Sequence, residues 1–250
     1  MNPQLDLHFA RDGAGRSLLT RRRAGYPFGL AAPLRGPRGG AVVMLQSISG
    51  GLYGGERLGQ RLVLAEGADV RLIQPAATPV RRQGEAAAAR QSITLETGAG
   101  ARLIYATRPL ILLPGAALIQ DWEVVLAPGA RLLFWEGFAA HAPGKAAAAW
   151  RLAGRVSIRA PGGRLLAAER MTARSGDAAC AYGAFGKIWC LGGGPPREPP
   201  PVPSAGIYCG VSALPGGAGY VIALAAREGG RLADALESLA GWAEALIPAG

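Results

Sequence analysis

Metal binding, nucleophilic catalysis and phosphate binding each need a few side chain types at set spacings, and this 250-residue sequence offers few of them. Its histidines are His8 and His141 and its cysteines Cys180, Cys190 and Cys209. The two histidines lie far apart and neither has a partner at helix or hairpin ligand spacing, so no dedicated zinc or non-haem iron site is expected. The odd number of cysteines and the absence of C-x-x-C argue against a disulfide framework and a zinc ribbon, leaving the cysteines as small buried hydrophobes. Ser47 or Ser49 could be combined on paper with His141 and Asp121, yet Gly-x-Ser-x-Gly is absent. The glycine-rich run Ser49-Gly50-Gly51-Leu52-Tyr53-Gly54-Gly55-Glu56-Arg57-Leu58 lacks the Lys-Ser/Thr of a phosphate loop and leads into a strand, so no helix N-terminus awaits an anion. It reads as a tight double-glycine turn, and the sequence as a whole as a non-enzyme.

The elements that must position these residues show a repeat. Leu62 to Ile73, Ile93 to Tyr105, Val124 to Trp135 and Val156 to Leu166 share one grammar: a short apolar strand, a glycine-containing turn, then an arginine and a second apolar strand. Aligned on Leu64, Leu95, Leu126 and Ile158, the units recur roughly every 31 residues, a spacing typical of repeat architectures. The turns around Gly67, Gly98, Gly129 and Gly162 read as hairpins, with glycine supplying positive φ. An isolated two-stranded ribbon is marginal in water, so successive units must stack to bury a common core. The expected fold is mostly β: stacked β-hairpins forming a layered or solenoid-like β-body, with one or two short helices. One of these is an amphipathic helix over Arg231 to Leu246, where Leu232, Ala235, Leu236, Leu239, Trp242, Ala243 and Leu246 fall at helical spacing. A shorter helical or loop segment is placed around Ala139 to Trp150. The chain reads as one domain, residues 1–250: a main body of about 5–191, a Gly/Pro-rich loop 192–204 and a strand–helix tail 205–250.

Lys and Arg outnumber Asp and Glu 27 to 17, for a net charge of +10, and nearly all the cations are arginine. A surface this basic suits an acidic protein partner, a nucleic acid or an anionic membrane. Trp122, Trp135 and Trp150 do not sit among arginine clusters, so the stacking pattern of a nucleic-acid binder is missing and an acidic protein partner is preferred. No run of about 20 apolar residues exists, and Asp6, His8, Arg11 and Asp12 interrupt the N-terminus early. The expectation is a cytoplasmic protein with no membrane segment.

Three stretches, in order, resemble the urease accessory protein UreD (UreH) family. The turn from Gly50 to Leu58 matches a GG-x-x-GGD-x-L pattern, with Glu56 in place of Asp. Gln74-Pro75-Ala76-Ala77-Thr78-Pro79-Val80-Arg81-Arg82 matches a T-x-x-A-T-K-x-Y-R loop, with Pro79 and Arg81 replacing the usual Lys and aromatic. The segment from Pro109 through Leu113-Pro114 and Ala117 to Asp121 is similar to a W-L-P strand without its Trp, and Leu133-Phe134-Trp135-Glu136 to an aromatic-Glu strand end. The likeness runs from Ala41 to Glu136, with an echo at Gly210 to Leu214 and in the final helix. After Glu136 the family's G-R-x-x-x-G-E run gives way to Phe138 to Lys145, which marks a divergent member.

The resemblance implies a urease maturation chaperone that helps insert nickel into the urease active site. It would be the non-catalytic subunit of a complex with UreF, the GTPase UreG and urease apoprotein, itself a homodimer in that complex. It implies no tightly bound cofactor and nickel only in transit. Carboxylates would be the way-stations, Glu56 first and then Asp121 and Glu136, with Gly50, Gly51, Gly54 and Gly55 shaping the turn that presents Glu56. The alternative is a basic β-scaffold that binds nucleic acid or an acidic protein unrelated to urease.

Overall fold

The computed structural model describes residues 2–141, 149–176, 182–196, 198–201 and 205–247. Cys180 and residues 142–148 of the segment read as helix or loop lie outside them, as do residue 197 and residues 202–204 of the Gly/Pro-rich loop.

The chain opens with an antiparallel pair, β1 (Leu5–Arg11) and β2 (Ser17–Ala24), then three pieces around the start of the body, β3 (Phe28–Leu30), β4 (Leu34–Arg35) and β5 (Ala41–Ser47), and the two-residue β6 (Leu52–Tyr53). Three coils follow. The first is β7 (Arg57–Leu64), β8 (Asp69–Ile73) and β9 (Thr78–Arg81); the second is β10 (Ala89–Thr97), β11 (Arg102–Ala106) and β12 (Leu110–Leu112); the third is β13 (Ala117–Leu126) and the long β14 (Arg131–Ala140). Equivalent strands of successive coils pair in parallel: β7 with β10 and β13, β8 with β11 and β14, and β9 with β12, which in turn meets the far half of β14. β15 (Arg151–Arg159) continues the first stack in parallel and β16 (Leu165–Arg174) folds back on it. β17 (Ala184–Leu191), β18 (Ile207–Ala213) and β19 (Gly219–Ala226) extend the second stack antiparallel before α1 (Gly229–Ala245). Two sheets result, ordered β16-β15-β13-β10-β7-β1-β2 and β18-β19-β17-β14-β11-β8-β5-β3.

The layered, solenoid-like body is therefore present, and three of the four expected hairpins need correction. The turns at Gly67, Gly98 and Gly129 carry the chain from the first sheet to the second, so the strands they join face each other across the core rather than pairing. Only the turn at Gly162 closes a hairpin, β15–β16. The physical reason is the coil itself: a strand that pairs in parallel with its counterpart about 31 residues on must cross to the other layer and return. Gly67 and Gly129 do take positive φ (65° and 70°), but in the second coil that task falls to Gly100 (62°). Gly98 is needed for closeness, since a Cβ there would lie 2.6 Å from the Glu66 amide nitrogen.

Residues between the layers form the main core, with Leu7, Leu62, Leu95, Trp122, Phe134 and Trp189 buried. The ring stack Trp122–Phe134–Trp189 crosses it, with centroids 4.8 and 5.8 Å apart. A second cluster lies outside the second sheet, where α1 covers Ile104, Leu133 and Ile188 with Leu232, Leu236 and Leu239. Each such leucine contributes roughly 2 kcal/mol by burial, which matters because α1 opens with two glycines and no side-chain cap. Leu236 seats in a dent made by glycines that are register partners: a Cβ on Gly137 would meet its Cδ1 at 2.9 Å, and one on Gly186 at 3.0 Å. Glu244, on the last turn, accepts from Arg71 and, at 3.1 Å, from Arg102, tying the helix to β8 and β11. The helix lies within two residues of its expected start.

Candidate functional site

Strand alternation decides which side chains enter the space between the layers. On the first sheet the inward positions include Gln60 on β7, Gln91 on β10 and both Gln120 and Trp122 on β13, and the glutamines are all buried. A buried amide is costly unless it is hydrogen-bonded. Gln120 Nε2 donates to Gln91 Oε1 at 2.7 Å, the Trp122 indole donates to Gln120 Oε1 at 3.0 Å, and the Tyr105 hydroxyl on β11 donates across to Gln60 Oε1 at 2.7 Å. Gln60 Nε2 has no partner among the described residues. These groups form a polar belt between the main core and a third apolar cluster built on Leu52, Val80, Leu112, Phe138 and Leu152.

Glu136 is the acid of the belt. It points inward from β14 at 6% exposure and accepts from the Trp189 indole at 3.4 Å. Burial pushes its carboxyl above the ordinary range, while the Lys187 charge and the indoles of Trp189 and Trp122 pull the other way without cancelling the rise. Lys187 is its register partner on β17, and the ammonium reaches across the core to Glu169 on β16. Burial lowers the Lys187 pKa against the raising influence of Glu136. Gln91, Gln120, Trp122, Tyr105 and Glu136 line a small internal space of about 20 Å³, enough for one water. Its wall also includes half-buried Gln74, Thr107 and Arg108. The belt thus runs as a line of hydrogen-bonding groups toward both flanks of the body, with one carboxylate near its middle and a Lys–Glu pair at one end.

The structure does not gather the three carboxylates singled out from sequence. Asp121 is flanked by inward Gln120 and Trp122, so alternation turns it to the outer face, where Arg155 donates to it at 3.1 Å. Glu56 is half-buried in the turn before β7, and its Oε2 accepts from the Tyr53 amide at 2.8 Å. Gly51 in that turn is required by contact: a Cβ would lie 2.5 Å from the Pro79 carbonyl oxygen. Gly54 and Gly55 donate backbone bonds to Arg81 and Ala87, and Gly50 lies beside the Tyr53 hydroxyl. Among the described residues no group of three or more His, Cys, Asp or Glu side chains gathers as a metal cage. His8 leans on Asp6 at 3.0 Å, His141 is exposed, and the Ser49 hydroxyl is spent on the Gly51 carbonyl, so the paper triad is not assembled. Cys190 is buried, its thiol pushed up to about 12, and Cys209 is half-buried.

Sequence reasoning missed Gln60, Gln91, Gln120, Glu169 and Lys187. The glutamines carried a signal, because they recur at nearly the coil spacing. Lys187 carried another, being one of two lysines in a chain of arginines.

The profile of the UreD urease accessory protein family matches residues 1–249. Urease accessory protein UreD 1 of Bradyrhizobium sp. (strain BTAi1 / ATCC BAA-1182) is 35% identical over 236 residues, covering 90% of this chain and 84% of that protein. Urease accessory protein UreD 1 of Methylorubrum populi (strain ATCC BAA-705 / NCIMB 13946 / BJ001) is 35% identical over 255 residues, covering 94% and 85%. The second copy in the same Bradyrhizobium strain, Urease accessory protein UreD 2, is 38% identical over 173 residues, covering 68% of this chain and 60% of its own length.

Proposed function

The chain belongs to the UreD urease accessory protein family, and on that premise we propose that it is a non-catalytic chaperone of urease maturation whose β-body conducts nickel toward the urease apoprotein. It works in a cytoplasmic complex with UreF and the GTPase UreG, in which it is present as a homodimer. The energy-coupled step belongs to UreG, and this chain offers the cargo a route.

The single observation that carries the reading is the polar belt around Glu136. A hydrated divalent cation crossing a protein needs groups that replace its water and a negative charge that offsets its own, held loosely enough for release. Amide oxygens of Gln60, Gln91 and Gln120 and the carboxylate of Glu136 are donors of that kind, and no cage is present among the described residues to trap the ion. Of the three carboxylates, Glu136 is the one whose burial among these amides supports a part in the route. Glu56 and Asp121 lie off the belt, each held by one hydrogen-bond donor.

The test is urease activation in cells lacking their own copy, with nickel content of the purified urease as the direct readout. The parent chain should restore both, and Glu136→Gln should lower nickel content while co-purifying with UreF, UreG and urease as well as the parent does. Full nickel loading by Glu136→Gln would remove Glu136 from the route. Equal loading with and without the chain would end the maturation reading.

A further inference from the structure

Because α1 lies on the second sheet, no α-helix among the described residues covers the outer face of the first sheet. Its outward positions bring arginines together in register. Arg57 stands beside Arg90 across β7 and β10, while Arg155 faces Arg170 and Arg151 faces Arg174 across β15 and β16. Like charges directly opposite each other are destabilising unless offset; Arg155 and Arg174 each have a partner, so Arg57 beside Arg90 is the pair in which neither guanidinium is offset among the described residues. The strand between, β13, brings Asp121 and Glu123 to the same face, where Arg155 engages them at 3.1 and 3.5 Å. The guanidinium groups of Arg57, Arg90, Arg151 and Arg170 have no hydrogen-bond or ion-pair partner among the described residues.

We propose that this face docks an acidic protein surface. From β7 to β16 the arginines span four inter-strand steps, about 19 Å at the usual strand spacing, which is the width of a protein contact patch. Arginine grips carboxylates through two parallel N–H groups and stays charged throughout. The acids of this face, Asp121 and Glu123 on β13 and Glu96 on β10, are each held by one of its arginines, Arg155 or Arg61, which leaves a positive surplus that a folded acidic partner can match. A phosphate backbone fits it less well, because it would cross Asp121 and Glu123, and none of the outward side chains on these five strands is aromatic, so no base has a ring to stack on. The inference rests on the urease-maturation reading for the partner, which is one protein of that assembly.

The experiment compares Arg57→Glu/Arg90→Glu/Arg170→Glu with a control of equal charge change off the face, Arg35→Glu/Arg38→Glu/Arg227→Glu. The readout is capture of urease apoprotein and its accessory proteins, co-expressed with the full-length tagged chain, beside urease activation and thermal melting. Capture by the face variant should fall about tenfold, equivalent to about 1.4 kcal/mol. The control should match the parent, and the parent's capture should weaken as salt rises from about 0.05 to about 0.3 M, the range over which exposed charges become screened. A milder variant, Arg57→Ala/Arg90→Ala, relieves a like-charge pair, so it should hold or raise the melting temperature while capture drops; a merely structural role would move the two together. Capture by the face variants equal to the parent's, with activation intact, overturns the docking face and leaves the maturation reading standing. If the parent neither captures the assembly nor activates urease, both fall. A face variant that loses a duplex DNA of about 20 base pairs but captures the assembly normally overturns the proposal in favour of nucleic acid.

Discussion

Glu136 and Lys187 face each other across β14 and β17 inside the body, a cross-strand charge pair whose lysine also holds Glu169 on the opposite sheet. The pair is desolvated from both sides, so burial opposes its charged form at each partner: the Glu136 pKa rises and the Lys187 pKa falls.

The raised Glu136 pKa predicts a signed pH dependence. Below the ordinary value of 4.5 the carboxyl is protonated in folded and unfolded chains alike. Above it the unfolded chain releases the proton while the folded chain still holds it, so stability falls as pH rises toward the raised value and then levels. Glu136→Gln cannot ionise. Calorimetric melting from pH 4 to pH 8 should therefore show variant and parent alike at the acid end and the variant melting higher at neutral pH. A variant that loses ground to the parent as pH rises would contradict the burial account.

Glu244 should show the opposite slope. Burial raises its pKa, but the hydrogen bonds and charges of Arg71 and then Arg102 outweigh that and leave it lowered from 4.5. Stability from this clamp is present above the ordinary value and is lost as pH falls through the lowered one. At pH 7 Glu244→Gln should cost about 1–3 kcal/mol, the usual worth of charge-assisted hydrogen bonds, with the deficit shrinking in acid. Urea denaturation at both pH values checks it, and a deficit that grows in acid would refute the clamp.

Gly98→Ala should cost more than Gly162→Ala. A methyl at 98 would press on backbone atoms of Ala65 and Glu66 at 2.8 and 2.6 Å, which cannot rotate away, whereas at 162 nothing lies within 4 Å and only the positive φ of 86° resists. The expected losses in urea denaturation are about 3 kcal/mol for overpacking and about 1 kcal/mol for left-handed strain. Equal losses would mean that the coils are not in close contact at that corner.

The repeat was legible because the coil length leaves a spacing of roughly 31 residues, and α1 was legible from the period of its leucines. Alignment on Leu64, Leu95, Leu126 and Ile158 was out by two residues in places, since the true register runs Leu62–Leu95–Val124–Ile158. A slip of two keeps every side chain on its face, so the pattern survived it. The hairpin reading failed because Glu66-Gly67 chemistry serves a corner as well as a hairpin, and only the long-range partner of each strand tells them apart. In the candidate site, Glu136 was singled out through the family resemblance, and the structure adds its burial. Asp121 could have been turned outward by counting alternation from Trp122. Glu169 had no local signal, because it meets Lys187 only once the β15–β16 hairpin has closed over the core.

The glycine dent under Leu236 has one more consequence. Gly137 follows Glu136 and Gly186 precedes Lys187, so the two dipeptides that present charge inward are bare on their backs, and Leu236 fills that bareness. Here the sheet is a wall one strand thick with no side chain of its own for plaster, and the tail helix is the outer skin. Peeling α1 away would let water reach the peptide groups behind Glu136 and Lys187 and relieve the desolvation that holds their pKa values apart from normal. The insulation of the belt is thus hung from outside, by a helix encoded about a hundred residues after the acid it shields.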